Sequence, residues 1–280
     1  MSRPWILIPV RNRQATTLAC LAALRANGDL ADCGVIVVDD GSSDGTGDAV
    51  RAAFPEAVVV RGDGQLFWTG AIARAMREAA ARGAGILFWL NDDCRPQAGA
   101  LRALRNFLEK KPAALAGPRC LNAATGATVP TGFSGRRIFS AAAGEIRPVQ
   151  GLSGFCVGLG ADVAGRLGPP DAENFPHYGG DTAYTLRASR AGCTVALVGD
   201  AVVQLLDGGG GPAALRDRVR AGESLAENWR RIFSATNSPY RLRTLFALQR
   251  LKYGAATGSV LALARATGWM AGMAWTKARG

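Results

Sequence analysis

Apolar runs alternate with amphipathic segments along the first 117 residues. The apolar runs cover residues 5–10, 35–38, 57–60, 86–90 and 113–116. The segments between them are rich in Ala, Leu and Arg, and they repeat apolar positions with a helical period at residues 16–26, 44–54, 69–82 and 97–110. Buried parallel strands read as continuous apolar runs, and helices connect them. The alternation therefore predicts an α/β fold, with a mostly parallel sheet covered by helices on both faces.

The pattern changes after Pro118. Short segments rich in Gly and Thr continue to about Gln150, which predicts hairpins or a mobile loop. Residues 151–160 then predict a strand of small residues, and a helix begins near Asp181 before a strand at 194–198. Four consecutive glycines before Pro212 predict a hinge into a C-terminal tail.

Length and composition fit one large domain, or a domain with an appendage. A chain of 280 residues with 48% hydrophobic content can bury a full core. Its six cysteines occur singly, without a C-x-x-C pair, which favours reduced thiols in a cytosolic protein. The first apolar run is broken by Pro9 and is too short for a secretory signal, so we interpret it as the first strand. We therefore expect a cytoplasmic protein.

The net charge of +11 is concentrated at the C-terminal end. Residues 212–280 hold 12 Lys/Arg and 3 Asp/Glu, interleaved with aromatic residues, which is typical of helices at an anionic membrane surface. The stretch 254–276 is long enough to span a bilayer, but Arg265 in its middle argues against spanning. We expect peripheral attachment to such a surface, with a helical cap on the α/β domain as the alternative. Nucleic-acid binding is not expected, because no recognition motif accompanies the charge.

Three acidic segments follow the apolar pattern. Asp39 and Asp40 come directly after one apolar run, Asp92 and Asp93 come after another, and Asp181 begins a predicted helix. In open α/β sheets, ligands bind beyond the carboxyl ends of the strands. Each segment also has a structural alternative, because Asp is common in strand-to-helix turns and at helix N-caps.

These segments, together with the sequence Pro-Val-Arg-Asn-Arg at 9–13, resemble the inverting glycosyltransferase family 2, which has a GT-A fold. The resemblance implies a Rossmann-like GT-A domain over about 1–205, with a nucleotide-sugar half at about 1–117 and an acceptor half at about 118–205. A helical basic tail would follow at 212–280. The implied reaction is transfer of a sugar, hexosyl or rhamnosyl, to a hydroxyl of a glycan or lipid-linked acceptor. Cell-wall or polysaccharide biosynthesis is the corresponding biological setting.

The resemblance also implies roles for individual residues. Asp93 would hold Mg²⁺ or Mn²⁺ beside the diphosphate of a UDP- or dTDP-type donor, and Asp181 would be the general base. The remaining predicted donor contacts are Pro9, Asn12, Asp40 and Asp92.

The chain departs from the family pattern at three places. Asn91 stands where some members carry an acid, Gly180 replaces the first acid of the catalytic pair, and the strand region 202–207 lacks a further His. His177 is the only histidine, and it is either a packed loop residue or an acceptor contact.

A second motif is similar to rhamnosyltransferase-like members of the family. It is the Trp-Thr-Gly segment that begins at Trp68. Trp68 could stack on the donor, and Arg74 could face the diphosphate. The alternative is that these residues belong to an amphipathic helix whose aromatic side chains are buried.

Two other functions are compatible with parts of the sequence. A sugar nucleotidyltransferase would need a Gly-rich phosphate loop after the first strand, where this chain has Pro-Val-Arg-Asn-Arg. A catalytically inactive basic adaptor would bind membrane or nucleic acid, but it would not need the three acidic segments.

Overall fold

The computed structural model describes residues 3–207 and 213–279. Its first part confirms the predicted alternation of strands and helices, and the four predicted helices agree with the observed ones to within three residues at every end. The elements are β1 Trp5–Val10, α1 Gln14–Ala26, α2 Asp29–Asp32, β2 Gly34–Asp39, α3 Thr46–Ala53, β3 Val58–Arg61, α4 Phe67–Ala81, β4 Ile86–Leu90, β5 Cys94–Pro96 and α5 Ala100–Lys110.

The second part contains short strands, two helices and one long strand. Its elements are β6 Ala114–Asn122, β7 Thr128–Val129, β8 Gly132–Ser134, β9 Arg137–Phe139, β10 Ile146–Pro148, β11 Gly151–Leu152, β12 Cys156–Gly160, α6 Ala161–Leu167, α7 Gly180–Arg190 and β13 Thr194–Leu205. Hairpins and a mobile loop are the two alternatives predicted for residues 118–150. The structure has hairpins, because β8 pairs antiparallel with β9 and with β11.

Strand β6 extends past the predicted end of its apolar run. It continues through Pro118, which lies beside a register break in β13 between Val198 and Val202. Proline cannot donate to a ladder hydrogen bond, so it is tolerated where the pairing is already interrupted.

The main sheet is mixed but mostly parallel. Its strand order is β10-β13-β6-β12-β4-β1-β2-β3, with β5 paired to β13 and β7 paired to β6. Strands β4, β1, β2 and β3 are parallel, whereas β12 runs antiparallel to both β4 and β6. Because Cys156 pairs with Leu90, the loop before β12 lies at the carboxyl end of β4.

Apolar side chains fill both faces of this sheet. On β1, Ile6 and Ile8 belong to the core shared with α1, α3 and α5, while Leu7 belongs to the core shared with α4, α6 and α7. All three side chains are fully buried. This two-sided burial is the reason that the strands read as continuous apolar runs rather than as alternating ones.

The C-terminal part is helical, as predicted from its composition. Its elements are α8 Leu215–Arg218, α9 Leu225–Trp229, a π-helical turn Arg230–Ser234, α10 Leu242–Tyr253 and α11 Ala255–Arg279. Helices α10 and α11 share an apolar cluster around Leu245. The predicted hinge at 208–212 lies outside the described residues.

Helix α10 also contacts the sheet domain. Thr244 Oγ1 donates to the Asn174 carbonyl at 2.7 Å, and Arg243 forms an ion pair with Glu173. None of the described helices combines the length and the apolar composition needed to cross a bilayer.

Candidate active site

A cavity of about 630 Å³ opens at the carboxyl ends of β1, β2 and β4. The start of α4, the loop before β12 and the turn into α7 complete its walls. Its size is typical of a small-molecule site. Six of the predicted site residues line it, namely Pro9, Asp40, Trp68, Asp92, Asp93 and Asp181.

Asp92 and Asp93, which we call the acidic pair, follow β4 directly. Arg13 contacts both carboxylates: its Nε lies 2.8 Å from Asp92 Oδ1, and its Nη2 lies 3.1 Å from Asp93 Oδ2. Thr17 Oγ1 also donates to Asp92 Oδ2 at 2.8 Å. The alternative role of the acidic pair as a helix cap is wrong, because the N-cap of α5 is Gly99.

The two carboxylates of the acidic pair differ in exposure. The side chain of Asp92 is 4% exposed and that of Asp93 is 22% exposed. Burial raises the pKa of Asp92, and the guanidinium of Arg13 opposes this increase. Asp93 is therefore the member of the pair that a ligand in the cavity can reach.

Asp181 lies on another wall of the cavity, as the second residue of α7. Its Oδ2 accepts a hydrogen bond from the Gly154 amide at 2.6 Å, and its Oδ1 accepts one from the Thr182 amide. The structural alternative for Asp181 was a role as the N-cap of this helix. The N-cap of α7 is Gly179, so Asp181 does not occupy that position. Among the described residues, Asp181 forms no ion pair with Lys or Arg.

Burial raises the pKa of Asp181, although the backbone hydrogen bonds from Thr182 and Gly154 partly offset it. A carboxylate with a raised pKa is a better proton acceptor than an ordinary one. Gly154 permits the close approach, because a Cβ at this position would lie 2.7 Å from the Asp181 Cβ.

The match to a known family concerns the half of the chain that contains the acidic pair. Residues 5–142 match the model of the family described as glycosyl transferase family 2. This region of the chain is similar to glycosyltransferase family 2. This confirms the resemblance inferred from the motifs. Asp181 lies beyond the matched residues. No curated protein sequence matches the chain.

Solved structures confirm that the family 2 region belongs to a GT-A fold. GalNAc-T7, in a crystal structure with UDP, GalNAc and Mn²⁺, has a TM-score of 0.59 at 12% identity, covering 98% of this chain and 57% of its own. The mannosyltransferase PcManGT from Pyrobaculum calidifontis, in complex with GDP-Man and Mn²⁺, has a TM-score of 0.58 at 17% identity. That match covers 99% of this chain and 80% of the other. The chain thus spans little more than half the length of the first of these structures.

Other predicted donor contacts of the family 2 region have structural partners. Asp40 is 3% exposed, and its carboxylate accepts hydrogen bonds from the amides of Gly64, Leu66 and Phe67. It therefore holds the loop that leads into α4, in addition to lining the cavity. Phe67 adopts a left-handed φ of 52°, a strained conformation that is concentrated at functional sites.

Two predicted contacts are not brought into the cavity. Asn12 is exposed, and its Oδ1 accepts a hydrogen bond from the Ser43 amide at 2.7 Å, so it orders the loop after β2. Arg74 is exposed on α4 and does not line the cavity. Trp68 does line it, and its Nε1 donates to Asn91 Oδ1 at 2.7 Å. The amide that replaces an acid at position 91 thus holds the indole ring in place.

The acidic pair fits the needs of a divalent cation. Mg²⁺ and Mn²⁺ sites in such enzymes use one or two carboxylates, and substrate phosphates and water supply the other ligands. Asp93 offers a partly exposed carboxylate to the cavity. In the part of the chain that the structure describes, no group of three or more His, Cys, Asp or Glu side chains could hold a metal on its own. Most ligands would therefore come from the donor.

The sequence pointed to His177 but not to the aromatic wall of which it is part, and it did not reveal the partner of the acidic pair. Phe67, His177 and Tyr178 line the cavity, with ring centroids 6.2 Å apart for Phe67 and His177 and 4.7 Å apart for His177 and Tyr178. Burial lowers the pKa of His177, so its imidazole is neutral near pH 7. Arg13 lies within the quoted 9–13 motif, but its contact to a strand 80 residues away could not be inferred from local sequence.

Proposed function

We propose that this chain is an inverting glycosyltransferase, which moves a sugar from a nucleoside-diphosphate-sugar to a hydroxyl of a glycan or lipid-linked acceptor. Residues 1–205 would form the catalytic domain, and residues 212–280 would form an appended tail. The observation that carries the proposal is that Asp181 and the acidic pair line one cavity, although they come from different halves of the chain.

The chemistry follows from these two groups. The carboxylate of Asp181 accepts the proton of the acceptor hydroxyl as its oxygen bonds to the anomeric carbon. The bond from that carbon to the diphosphate oxygen breaks in the same displacement, and the negative charge develops on the diphosphate. One direct displacement inverts the anomeric configuration.

The acidic pair lies where this negative charge would develop. Asp93, with Asp92 behind it, would hold a divalent cation, which when bound supplies the positive charge that stabilises the leaving diphosphate. Arg11 and Arg13 also line the cavity and add positive charge of the chain's own. The Mn²⁺ in both similar structures supports a divalent cation in this role.

For the donor we propose a UDP- or dTDP-type nucleotide carrying a hexosyl or rhamnosyl group. One similar structure contains UDP and the other GDP-Man, which supports a nucleoside diphosphate without fixing the base. The rings of Trp68, Phe67 and Tyr178 offer apolar faces on which a base or a sugar can stack. The aromatic lining is consistent with either sugar.

We further propose that the tail attaches the enzyme to an anionic membrane, where lipid-linked acceptors of cell-wall or polysaccharide synthesis reside. On α11, Val260, Leu263 and Trp275 are 68%, 60% and 59% exposed. Residues 228–280 contain nine Lys/Arg and no Asp/Glu. Arg231 and Arg243 form ion pairs with Glu223 and Glu173, and the other basic residues give this part a large excess of positive charge. An exposed apolar helix face combined with excess positive charge is characteristic of interfacial helices.

Co-sedimentation with vesicles tests the tail. Reversing the charges of Arg230, Arg241 and Arg243 should release the protein from vesicles that contain phosphatidylserine, since each basic group near such a surface contributes about 1 kcal/mol. Charge reversal at Arg51 on α3, outside the tail, is the matched control and should leave sedimentation unchanged. If the wild-type protein stays in the supernatant at low salt, the tail is a structural cap.

The two alternative functions have less support. A sugar nucleotidyltransferase or an inactive adaptor does not need a general base facing the acidic pair, and the family match favours glycosyl transfer. A thermal-shift screen of UDP, dTDP and GDP, each with and without Mn²⁺, tests the function. A nucleotide that binds only the folded protein raises the melting temperature. No shift with any of the three would reject the proposed function.

A further inference from the structure

We propose that Arg13 couples metal binding to donor binding. In this view, which rests on the proposed function, Arg13 is paired with both carboxylates of the acidic pair when no donor is bound and compensates one of their two charges. When the diphosphate arrives, the guanidinium pairs with it and leaves Asp93 to the cation. The metal and the donor would then bind cooperatively, and neither would bind well alone.

The position of Arg13 supports such a movement. Its backbone is fixed as the N-cap residue of α1, where its amide donates to Thr46 Oγ1. Its side chain is 38% exposed and lines the cavity with the acidic pair. A long side chain anchored at its base and partly open to the cavity can exchange one partner for another without moving the fold.

The hydrogen bonds of the acidic pair are unequal, and this inequality identifies the carboxylate that would be released. Asp92 keeps the hydrogen bond from Thr17 when Arg13 leaves. Among the described residues, Asp93 has only Arg13 and a weak 3.7 Å contact from Cys94 Sγ. Loss of the guanidinium would therefore free Asp93 while Asp92 stays hydrogen-bonded.

Charge explains why the exchange would require the donor. A cation that approaches the acidic pair meets two carboxylates and one guanidinium, so only one negative charge is uncompensated. The diphosphate adds phosphate oxygens, to which a guanidinium binds well because its planar fork matches their geometry. Transfer of Arg13 to the diphosphate restores both negative charges for the cation.

Arg11 provides a matched control in the same cavity. Its Nη1 donates to the Gly64 carbonyl at 2.7 Å, and in the described structure it forms no ion pair with the acidic pair. It contributes the same charge to the cavity but does not occupy the carboxylates. A substitution of Arg11 therefore tests for a general effect of cavity charge.

The experiment is a thermodynamic cycle on the full chain. Free Mn²⁺ is measured by electron paramagnetic resonance during titration of the wild type and of Arg13→Gln, Arg13→Lys and Arg11→Gln, each with and without UDP, dTDP or GDP. In the wild type, the nucleotide should strengthen Mn²⁺ binding by about 5- to 150-fold, the usual range of coupling, and by reciprocity Mn²⁺ should strengthen nucleotide binding equally.

Arg13→Gln should bind Mn²⁺ more tightly than the wild type without nucleotide, and its coupling should be smaller than that of the wild type by the same factor. The coupling that comes from phosphate ligands of the cation should remain. Arg13→Lys keeps a charge and should lie between the two, which covers the case in which Arg13→Gln folds poorly. Arg11→Gln should keep the wild-type affinity for Mn²⁺ alone.

Three results would overturn the proposal. Unchanged Mn²⁺ affinity in Arg13→Gln would show that Arg13 does not compete with the cation. Higher affinity with unchanged coupling would show that Arg13 is a fixed neighbour that does not move. Failure of every nucleotide to promote Mn²⁺ binding in any variant would reject the coupling, while thermal shifts with nucleotide alone would still support the proposed function.

Discussion

The acidic pair and Asp181 line the same cavity, but their surroundings differ. The acidic pair shares one guanidinium, that of Arg13, and Asp92 also accepts a hydrogen bond from the Thr17 hydroxyl. Asp181 accepts hydrogen bonds from the backbone amides of Gly154 and Thr182, it forms no ion pair with Lys or Arg among the described residues, and burial raises its pKa. Burial raises the pKa of Asp92 as well, but the guanidinium of Arg13 opposes that increase, whereas no ion pair among the described residues opposes it at Asp181. A neighbouring guanidinium favours ionised carboxylates, and its absence suits a carboxylate that must accept a proton.

This contrast shows how one cavity can separate charge stabilisation from proton transfer. A carboxylate that holds a cation is a poor base, because the cation lowers its pKa. A carboxylate without a cation can take up a proton at moderate pH. The assignment of roles therefore rests on the partners of each carboxylate, and the predictions below test those partners.

The largest effect is expected from Asp93→Ala. Transfer should fall by about three orders of magnitude or more, because metal stabilisation of developing charge is worth several kcal/mol and each ~1.4 kcal/mol is a factor of ten in rate. Initial rates with saturating Mn²⁺ measure the loss. Asp48→Ala, on the exposed surface of α3, is the matched control. If activity survives both Asp93→Ala and treatment with chelator, neither Asp93 nor a metal ion takes part in the transfer.

A smaller loss, of roughly 10²–10⁴ in turnover, is expected from Asp181→Asn, the usual contribution of a positioned base. The amide can still accept the hydrogen bond from Gly154 but cannot accept the proton. Nucleotide affinity should stay at the wild-type value, in contrast to Asp93→Ala. Isothermal titration and single-turnover rates separate the two parameters. Near-normal turnover would contradict the assignment of Asp181 as the base.

The pH dependence should distinguish the two environments further. Because the base must be ionised, kcat/KM should fall about tenfold per pH unit below the pKa of Asp181. Burial places that pKa above the ordinary Asp value of about 3.9. The residual activity of Asp181→Asn should lack this acidic limb. If the activity of Asp181→Asn still falls at acidic pH in the same way, the titrating residue is not Asp181.

Much of the fold could be predicted, because the β1–β4 region follows a simple rule. Strands buried on both faces give uninterrupted apolar runs, and the helices between them repeat with their own period. The antiparallel β12 could not be predicted in this way. Its place between β4 and β6 depends on pairing between distant segments, and this pairing carries Gly154 to the carboxyl end of β4.

The site was predictable where side chains directly follow strands. Asp40, Asp92 and Asp93 lie at the cavity for this reason. Arg74 lies in the middle of helix α4 and not directly after a strand, and its side chain is on the exposed side of that helix. The role of Arg13 depends on how close the start of α1 lies to the end of β4, which only the packed sheet defines.

The anomeric configuration of the product tests the central claim most directly. Once a donor is identified, NMR of the freshly formed glycoside gives the configuration from the one-bond coupling between the anomeric carbon and its proton, which separates the anomers of rhamnosyl as well as other hexosyl groups. A single displacement assisted by Asp181 predicts a product whose anomeric configuration is opposite to that of the donor. A product with the same configuration as the donor would contradict the account.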